Sequence, residues 1–364
     1  MIDFKNILSQ FSITGDIKCK TAYGEGHIND TYYVRVADGR YILQRINKEI
    51  FKNPPEIMRN IEKITAHLRK KIVEKGGDPA RETLTIIPTK SGQSYYKSPD
   101  GNYYRIYTFI TGAKTYQSVQ KPADFYNAGK AFGIFQKMLS DFPAAELFVP
   151  IADFHNTKVR FENLLNAVNC DKAGRVKYVQ SEIDFALQRQ SDVNVLVDLI
   201  EKGDIPLRVT HNDTKYNNIM IDDITGEGVC IIDLDTVMPG SLLYDFGDSI
   251  RFGASNALED ERDLSKVYMD NRLYEAFVKG FFGEVGKEMT EAEVEHAPFS
   301  AKLMTYECGM RFLTDYLNGD VYFKIHRPKH NLDRARAQFK LVSDMEKKMD
   351  YMREAVMGYV KTGV

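Results

Sequence analysis

Hydrophobic and polar positions alternate over the first third of the chain and then change period. Thr31-Tyr-Tyr-Val-Arg-Val36 and Tyr41-Ile-Leu-Gln-Arg-Ile46 are β-branched and aromatic runs separated by Asp38-Gly39, a hairpin signal. Ile17–Tyr23, Leu84–Pro88, Ser94–Lys97 and Tyr103–Ile110 read as further strands, the last entered through the turn Asp100-Gly101-Asn102. After Pro54-Pro55, the residues Ile57, Ile61, Ile64 and Leu68 recur at helical spacing, predicting a helix over Glu56–Lys71. Ile2, Phe4, Ile7, Leu8 and Phe11 predict a short amphipathic helix at the start. Beyond residue 115 the period is helical, over 122–141, 158–170, 180–203, 262–283, 290–317 and 331–360, with short apolar strands around 208–235. The pattern predicts an α+β chain in two lobes. A small β-sheet lobe with one inserted helix occupies 1–112, a larger mainly helical lobe occupies 113–364, and a hinge lies near 107–115. A cleft between two such lobes is a preferred place for a ligand.

Composition narrows the class. Of 364 residues, 43% are apolar and 27% charged, which suits a folded globular chain and excludes disorder as the main state. Lys plus Arg is 49 against 51 Asp plus Glu, so no basic field exists to hold a nucleic acid or an anionic membrane. No apolar run approaches a membrane span. The N-terminal segment does not read as a signal peptide. Cys19, Cys170, Cys230 and Cys308 are isolated, which argues against a zinc site or disulfide framework and fits a reducing cytosol.

Candidate chemistry concentrates in one insert. His211-Asn-Asp213-Thr-Lys215-Tyr-Asn-Asn218 precedes two short apolar strands, Ile219–Ile221 and Val229–Ile232, which end at Asp233 and Asp235. His-x-Asp, then Asn five residues on, then a hairpin ending in Asp is the catalytic-loop order of kinases. Asp213 is placed to accept the proton of a hydroxyl nucleophile. Asn218 and Asp233 supply hard oxygen ligands for Mg²⁺. His211 is expected to brace the loop, and Lys215 either touches a transferred phosphoryl group or stands in solvent. Asp245-Phe246-Gly247 spells the protein-kinase metal triplet but lies 32 residues after Asp213, too far for the hairpin return. Asp245 is expected instead to accept backbone N–H groups of the loop.

Tyr23-Gly-Glu-Gly-His-Ile-Asn29, Tyr41-Ile-Leu-Gln44, Arg208-Val-Thr-His-Asn-Asp-Thr-Lys215, Ile232-Asp-Leu-Asp-Thr236, Met238-Pro-Gly-Ser241, Asp245-Phe-Gly-Asp-Ser-Ile-Arg-Phe-Gly253 and Glu307-Cys-Gly-Met-Arg-Phe312 spread over both lobes. On these segments the chain resembles the aminoglycoside phosphotransferase and choline kinase-like superfamily, with its bilobal protein kinase-like fold and small antiparallel sheet. Within it, the last two segments resemble the N-acetylhexosamine 1-kinases. The resemblance implies ATP-dependent phosphorylation of the anomeric hydroxyl of N-acetylglucosamine or N-acetylgalactosamine, by a monomer. It implies Asp213 as base, Asn218 and Asp233 as Mg²⁺ ligands, and Asp235 as a supporting residue. Adenine would be received by the backbone of Tyr107, Thr108 and Phe109, and phosphates by the turn of Gly24 and Gly26. His27, Phe252, Arg311 and Tyr322 would contact the sugar; the bland readings are a solvated His27, core Phe252 and Tyr322, and an Arg311 paired with an internal carboxylate.

One departure stands out. The third strand of a kinase carries a Lys for the nucleotide phosphates, whereas this strand reads Ile42-Leu-Gln44-Arg45, with Arg45 on the opposite face. Gln44 offers neutral hydrogen bonds only, and Glu62 of the inserted helix loses its usual partner. Two alternatives therefore stand beside the sugar kinase. One is a kinase for another hydroxyl substrate (an aminoglycoside, choline, homoserine or another hexose), and the other a nucleotide-binding pseudokinase scaffold.

Overall fold

The computed structural model describes residues 2–24 and 28–362, so Gly26 and His27 lie outside the described residues. Helix α1 (Phe4–Ser9) precedes a sheet of β1 (Cys19–Ala22), β2 (Asp30–Arg35), β3 (Arg40–Ile46), β4 (Tyr96–Lys97) and β5 (Tyr103–Thr108). The strand order is β1-β2-β3-β5-β4, antiparallel throughout. Strand alternation sorts the two faces. Val34, Leu43, Tyr104 and Ile106 bury against Ile7, Leu8 and Phe11 at the α1 side. Thr31, Tyr33, Ile42, Gln44, Arg105 and Tyr107 share the opposite face by register. There α2 (Pro54–Glu74) buries Ile57, Ile61, Ile64, Leu68 and Ile72 in a core continuous with the larger lobe. Its two leading prolines sit in the first turn, where the missing amides have no helical partner to lose.

Leu84–Pro88, which follows the short α3 (Pro79–Glu82), is not a strand. Thr108 donates to Thr85 and Ile87 to Ile106, both at 2.9 Å, but Pro88 has no amide with which to extend the ladder.

The larger lobe begins with β6 (Ala113–Lys114), α4 (Pro122–Met138), α5 (Thr157–Cys170), α6 (Gln180–Leu187) and α7 (Val195–Lys202). Then come β7 (Arg208–Thr210), β8 (Ile219–Asp222), β9 (Gly228–Ile231) and β10 (Met238–Gly240). Helices α8 (Leu242–Gly253), α9 (Asn271–Val285), α10 (Glu291–Leu317), α11 (His330–Lys347) and α12 (Met349–Thr362) complete it. The helix expected over 180–203 is split into α6 and α7, and that over 331–360 breaks at Lys348. The helix expected from 262 starts at Asn271, where the Asp270 side chain caps the Arg272 and Leu273 amides. Helix α8 was not anticipated. All its residues except Phe252 are buried, including the polar Asp245, Asp248, Ser249 and Arg251. Among the described residues no helix is long and apolar enough to cross a membrane.

Helices α4 and α9 meet backbone to backbone. A Cβ on Gly280 would fall 2.2 Å from the Tyr126 carbonyl oxygen, and one on Gly129 2.5 Å from that of Phe277. Gly280→Ala is therefore expected to destabilise the fold by about 1–3 kcal/mol through overpacking, although alanine is the better helix former. Chemical denaturation checks this, and a midpoint at or above that of the unsubstituted protein would refute the close crossing.

Candidate active site

The insert between α7 and α8 is fixed at both ends. Arg208 donates to both Glu293 oxygens, at 2.8 and 2.7 Å, while Glu293 also closes a capping box with Thr290 at the start of α10. β7 pairs with β10, and β8 pairs with β9 and with β6 at the hinge. Between β7 and β8 the loop is gathered by one buried carboxylate. Asp245, on α8, accepts the His211 amide at 2.9 Å and the Asn212 amide at 2.7 Å. Asn212 takes a left-handed φ of 64°, and its side chain donates to the carbonyls of Thr210 and Thr236. His211 accepts the Asp213 amide on Nδ1 and donates from Nε2 to the Ile232 carbonyl, bracing the loop against the end of β9.

The loop presents Asp213 with two partners. Lys215 Nζ lies 2.8 Å from one carboxylate oxygen, and Asn218 Nδ2 donates to the Asp213 carbonyl at 2.8 Å and to the carboxylate at 3.2 Å. Burial opposes ionisation of Asp213, but the Lys215 ammonium outweighs it and holds the carboxyl below its ordinary range. The Ile232 amide donates to the Asn218 carbonyl at 2.9 Å, which sets Asp233 beside Asn218. Solvent reaches Asp233 down the cleft, yet it lies deep between the lobes. Burial, then the Asp235 and Asp213 carboxylates, push it up to about 6.

Asp235 is buried and bound in bidentate fashion to Arg105 of β5, at 2% and 1% exposure, with Nη2 to Oδ2 at 2.9 Å. Asn29, in the turn after β1, donates to the same carboxylate at 2.6 Å. Arg105 Nε donates to Gln44 Oε1 at 2.9 Å, and Gln44 Nε2 to Thr31 at 3.0 Å. The cation absent from β3 thus stands on the neighbouring strand, where it binds the other lobe. Glu62 is exposed on α2.

At the hinge the expectation needs correction. The Thr108 and Phe109 amides already donate to Thr85 and Arg40, and the Tyr107 ring is buried in the core shared with α2. Among the described residues the backbone of Ile110 makes no hydrogen bond. Gly24, at φ 75°, faces open space at the end of β1.

The cleft encloses ≈ 260 Å³, bounded by Thr31 and Gln44 above and by Asp213, Lys215, Asn218 and Asp233 below. Its far end is lined by Asp248, Arg251, Glu259, Glu307, Arg311 and Tyr322. Asp315 carries Tyr322 there by accepting the amides of Val321, Tyr322 and Phe323 at 2.8–2.9 Å. Arg311 has no hydrogen bond or carboxylate partner among the described residues; its guanidinium lies 5.1 Å from the Phe154 ring and 5.6 Å from that of Phe323. Phe252 is not in the wall; it packs, half-buried, against the helical core. Lys324 and Arg334 also line the cavity. A second groove of ≈ 430 Å³ opens beyond Arg311 and Tyr322 but carries none of the loop residues.

The profile of the phosphotransferase enzyme family matches residues 21–277, more than half of the chain. The chain belongs to that family. A probable choline kinase 1 of Arabidopsis thaliana is 26% identical over 112 residues, 29% of this chain and 31% of that protein. An aminoglycoside phosphotransferase from Alicyclobacillus acidocaldarius superposes with a TM-score of 0.67 at 13% identity, covering 98% of this chain and 97% of its own. An amicoumacin kinase in complex with AMP-PNP and Ca²⁺ superposes with a TM-score of 0.61 at 13% identity, covering 95% and 94%. At such identity the two structures establish the shared fold.

Several residues of this phosphotransferase site escaped the sequence reading. His155 donates to Glu307 at 2.8 Å and to the Asn212 carbonyl at 3.0 Å, and Thr157 donates to the second Glu307 oxygen at 2.7 Å. Burial opposes ionisation of Glu307, and His155 overcomes it, holding the carboxyl below its ordinary range. Glu307 lies one helical turn before Arg311 and was legible as part of that segment; His155 carried no signal. Arg105 did carry one, a charge inside an aromatic strand. Arg105→Met is expected to cost about 3–5 kcal/mol, because it leaves Asp235 buried and unpaired. Arg105→Met with Asp235→Asn should recover a large part of that loss. Urea denaturation of the three proteins decides; equal losses for single and double variants would mean the pair is not coupled.

Proposed function

We propose that the protein transfers the γ-phosphoryl group of ATP to the anomeric hydroxyl of an N-acetylhexosamine. The observation that carries this reading is the charge of the cavity wall. Lys215, Arg251, Arg311, Lys324 and Arg334 stand against Asp213, Asp233, Asp248, Glu259 and Glu307. Asp213 has Lys215, Arg251 has Asp248 and Glu259, and Glu307 has His155, which leaves Arg311 without a carboxylate. Apart from Asp233, such a wall offers a cationic acceptor no unpaired carboxylate, and its free Arg311 suits a neutral acceptor bearing hydroxyl and carbonyl groups. Arg311 and Tyr322 are its proposed sugar contacts, with aromatic neighbours Phe154 and Phe323.

Asp213 is the proposed general base, held ionised by Lys215 and ready to accept the hydroxyl proton. Lys215 has a second role near the transferred group. The donor set fits a hard cation: Asn218 Oδ1 has no protein partner among the described residues, and burial, then the Asp235 and Asp213 carboxylates, raise Asp233 toward protonation, which a bound cation would oppose. No trio of His, Cys, Asp or Glu forms a cage among the described residues, as suits a Mg²⁺ whose other ligands are phosphate oxygens and water. Mg²⁺ bound there would neutralise the phosphate oxygens. The nucleotide is proposed to lie under the sheet, with adenine against Tyr33, Ile42 and Phe109 and hydrogen-bonded to the Ile110 backbone. Tyr33 and Phe109 rings already sit 5.1 Å apart. Gly24 and Gln44 line the route of the phosphates.

ADP release with Mg²⁺ and ATP over N-acetylglucosamine, N-acetylgalactosamine, glucose, choline, homoserine and kanamycin tests the reading, with ³¹P NMR of the product. Turnover of the N-acetylhexosamines, with phosphorus coupled to the anomeric proton, is expected. Turnover of choline or kanamycin alone would sink it. Asp213→Asn should lower kcat by roughly 10²–10⁴-fold with the fold intact by circular dichroism, and near-normal turnover would remove Asp213 as base.

A further inference from the structure

Among the buried side-chain oxygens that lack a hydrogen-bond partner, Asp248 Oδ2 is the one carboxylate oxygen in the wall of the cleft. Asp248 is 5% exposed. It stands on α8 one turn after Asp245, the residue that gathers the His211–Asn218 loop. Its Oδ1 accepts from Arg251 Nε at 2.7 Å, and the same guanidinium donates to Glu259 at 2.6 Å. Lys215 feels the charge of Asp248 and Glu259, but its bond goes to Asp213. A carboxylate oxygen stripped of water and given no donor loses its hydration outright. Native structures seldom keep such a group without a use for it.

We infer that Asp248 Oδ2 accepts a hydrogen bond from an uncharged donor of the acceptor, a hydroxyl or an amide N–H, and thereby sets which acceptors are phosphorylated. The inference rests on the neutral-acceptor reading above. An ammonium ion is the wrong donor. Asp248 shares Arg251 with Glu259, and Lys215, Arg311 and Arg334 already line the same cavity as cations. A hydroxyl or amide adds a hydrogen bond without adding charge, which is what the free oxygen requires. A site built around such a bond rejects analogues lacking the donor more strongly than an apolar pocket rejects a missing methylene.

The test is kcat/KM for N-acetylglucosamine, its single-deoxy analogues, 2-deoxyglucose and glucosamine, with the unsubstituted protein, Asp248→Asn and Glu259→Gln. Asn keeps an oxygen for Arg251 and turns an amide donor toward the cleft. One analogue is expected to fall about 10–100-fold with the unsubstituted protein. With Asp248→Asn the parent sugar should fall by a similar factor while that analogue falls no further. Glu259→Gln perturbs the same charge cluster but leaves the free oxygen, so it should preserve the analogue's penalty. If no missing donor costs the unsubstituted protein more than about threefold, the inference fails, and this result needs no variant to fold. It also fails if Asp248→Asn lowers parent and analogues alike, or if glucosamine is preferred and Asp248→Asn abolishes that preference. Absence of turnover with every sugar would reject the N-acetylhexosamine reading instead; the same comparison, made on whichever acceptor the panel identifies, then decides Asp248.

Discussion

A carboxylate removed from water is costly unless hydrogen bonds replace its hydration, and Asp245 is placed where the loop can supply them. The amides of His211 and Asn212 both point at it, and Gln136 of α4 donates to it as well. Burial alone would keep this group neutral; His211 and the donated amides oppose that, although burial remains the larger effect and the group stays above its ordinary range. The consequence is geometric. Two successive amides converging on one point force Asn212 into its left-handed turn, and that turn aims Asp213 into the cleft. Thr214 closes the arrangement by donating to the Asp245 carbonyl. The orientation of the candidate base is therefore set by a residue of α8 that need touch no substrate.

The relation between the lobes follows a similar rule with charges of both signs. Arg105 and Asp235 are removed from water together, one on each lobe, and each satisfies the other's hydrogen-bonding groups. Gln44 and Asn29 complete the set with neutral groups. A lysine at position 44 would place a second cation beside Arg105, so the glutamine on β3 and the arginine on β5 belong to one arrangement. Because Asn29 follows β1 and Asp235 lies two residues beyond Asp233, the pair also registers the turn after β1 against the hairpin end.

What the sequence disclosed depended on how far apart the interacting residues lie along it. The hairpin at Asp38-Gly39, the buried face of α2 and the length of α10 were legible because their signals are periodic or local. The His211–Asp235 segment was legible for the same reason: loop, hairpin and acidic end are contiguous. Arg105 and Asp235 are 130 residues apart and His155 and Glu307 152, so only the fold unites them. Phe252 stands outside the wall of the cleft, which its neighbour Arg251, a helical step of about 100° away, lines instead. Which hinge amides are engaged was not legible, because the pairing that occupies Thr108 and Phe109 cannot be counted from a single strand.

Helix α10 joins these two kinds of constraint. Glu307 and Arg311 are four residues apart and so share a face of the helix, the one that lines the cleft. Glu307 reaches the loop through His155, which donates to the carbonyl of Asn212, while Arg311 lines the cleft without a carboxylate partner among the described residues. Asp315, a further turn along, carries the strand of backbone that bears Tyr322. One rigid helix thus sets this wall of the cleft and the loop bearing Asp213 in a common frame. A displacement of the acceptor contacts relative to the base would require breaking the buried Glu307–His155 pair or bending α10, both costly in a close-packed interior. The distance from Arg311 and Tyr322 to Asp213 is consequently fixed by the fold, as the buried Arg105–Asp235 pair fixes the smaller lobe above them.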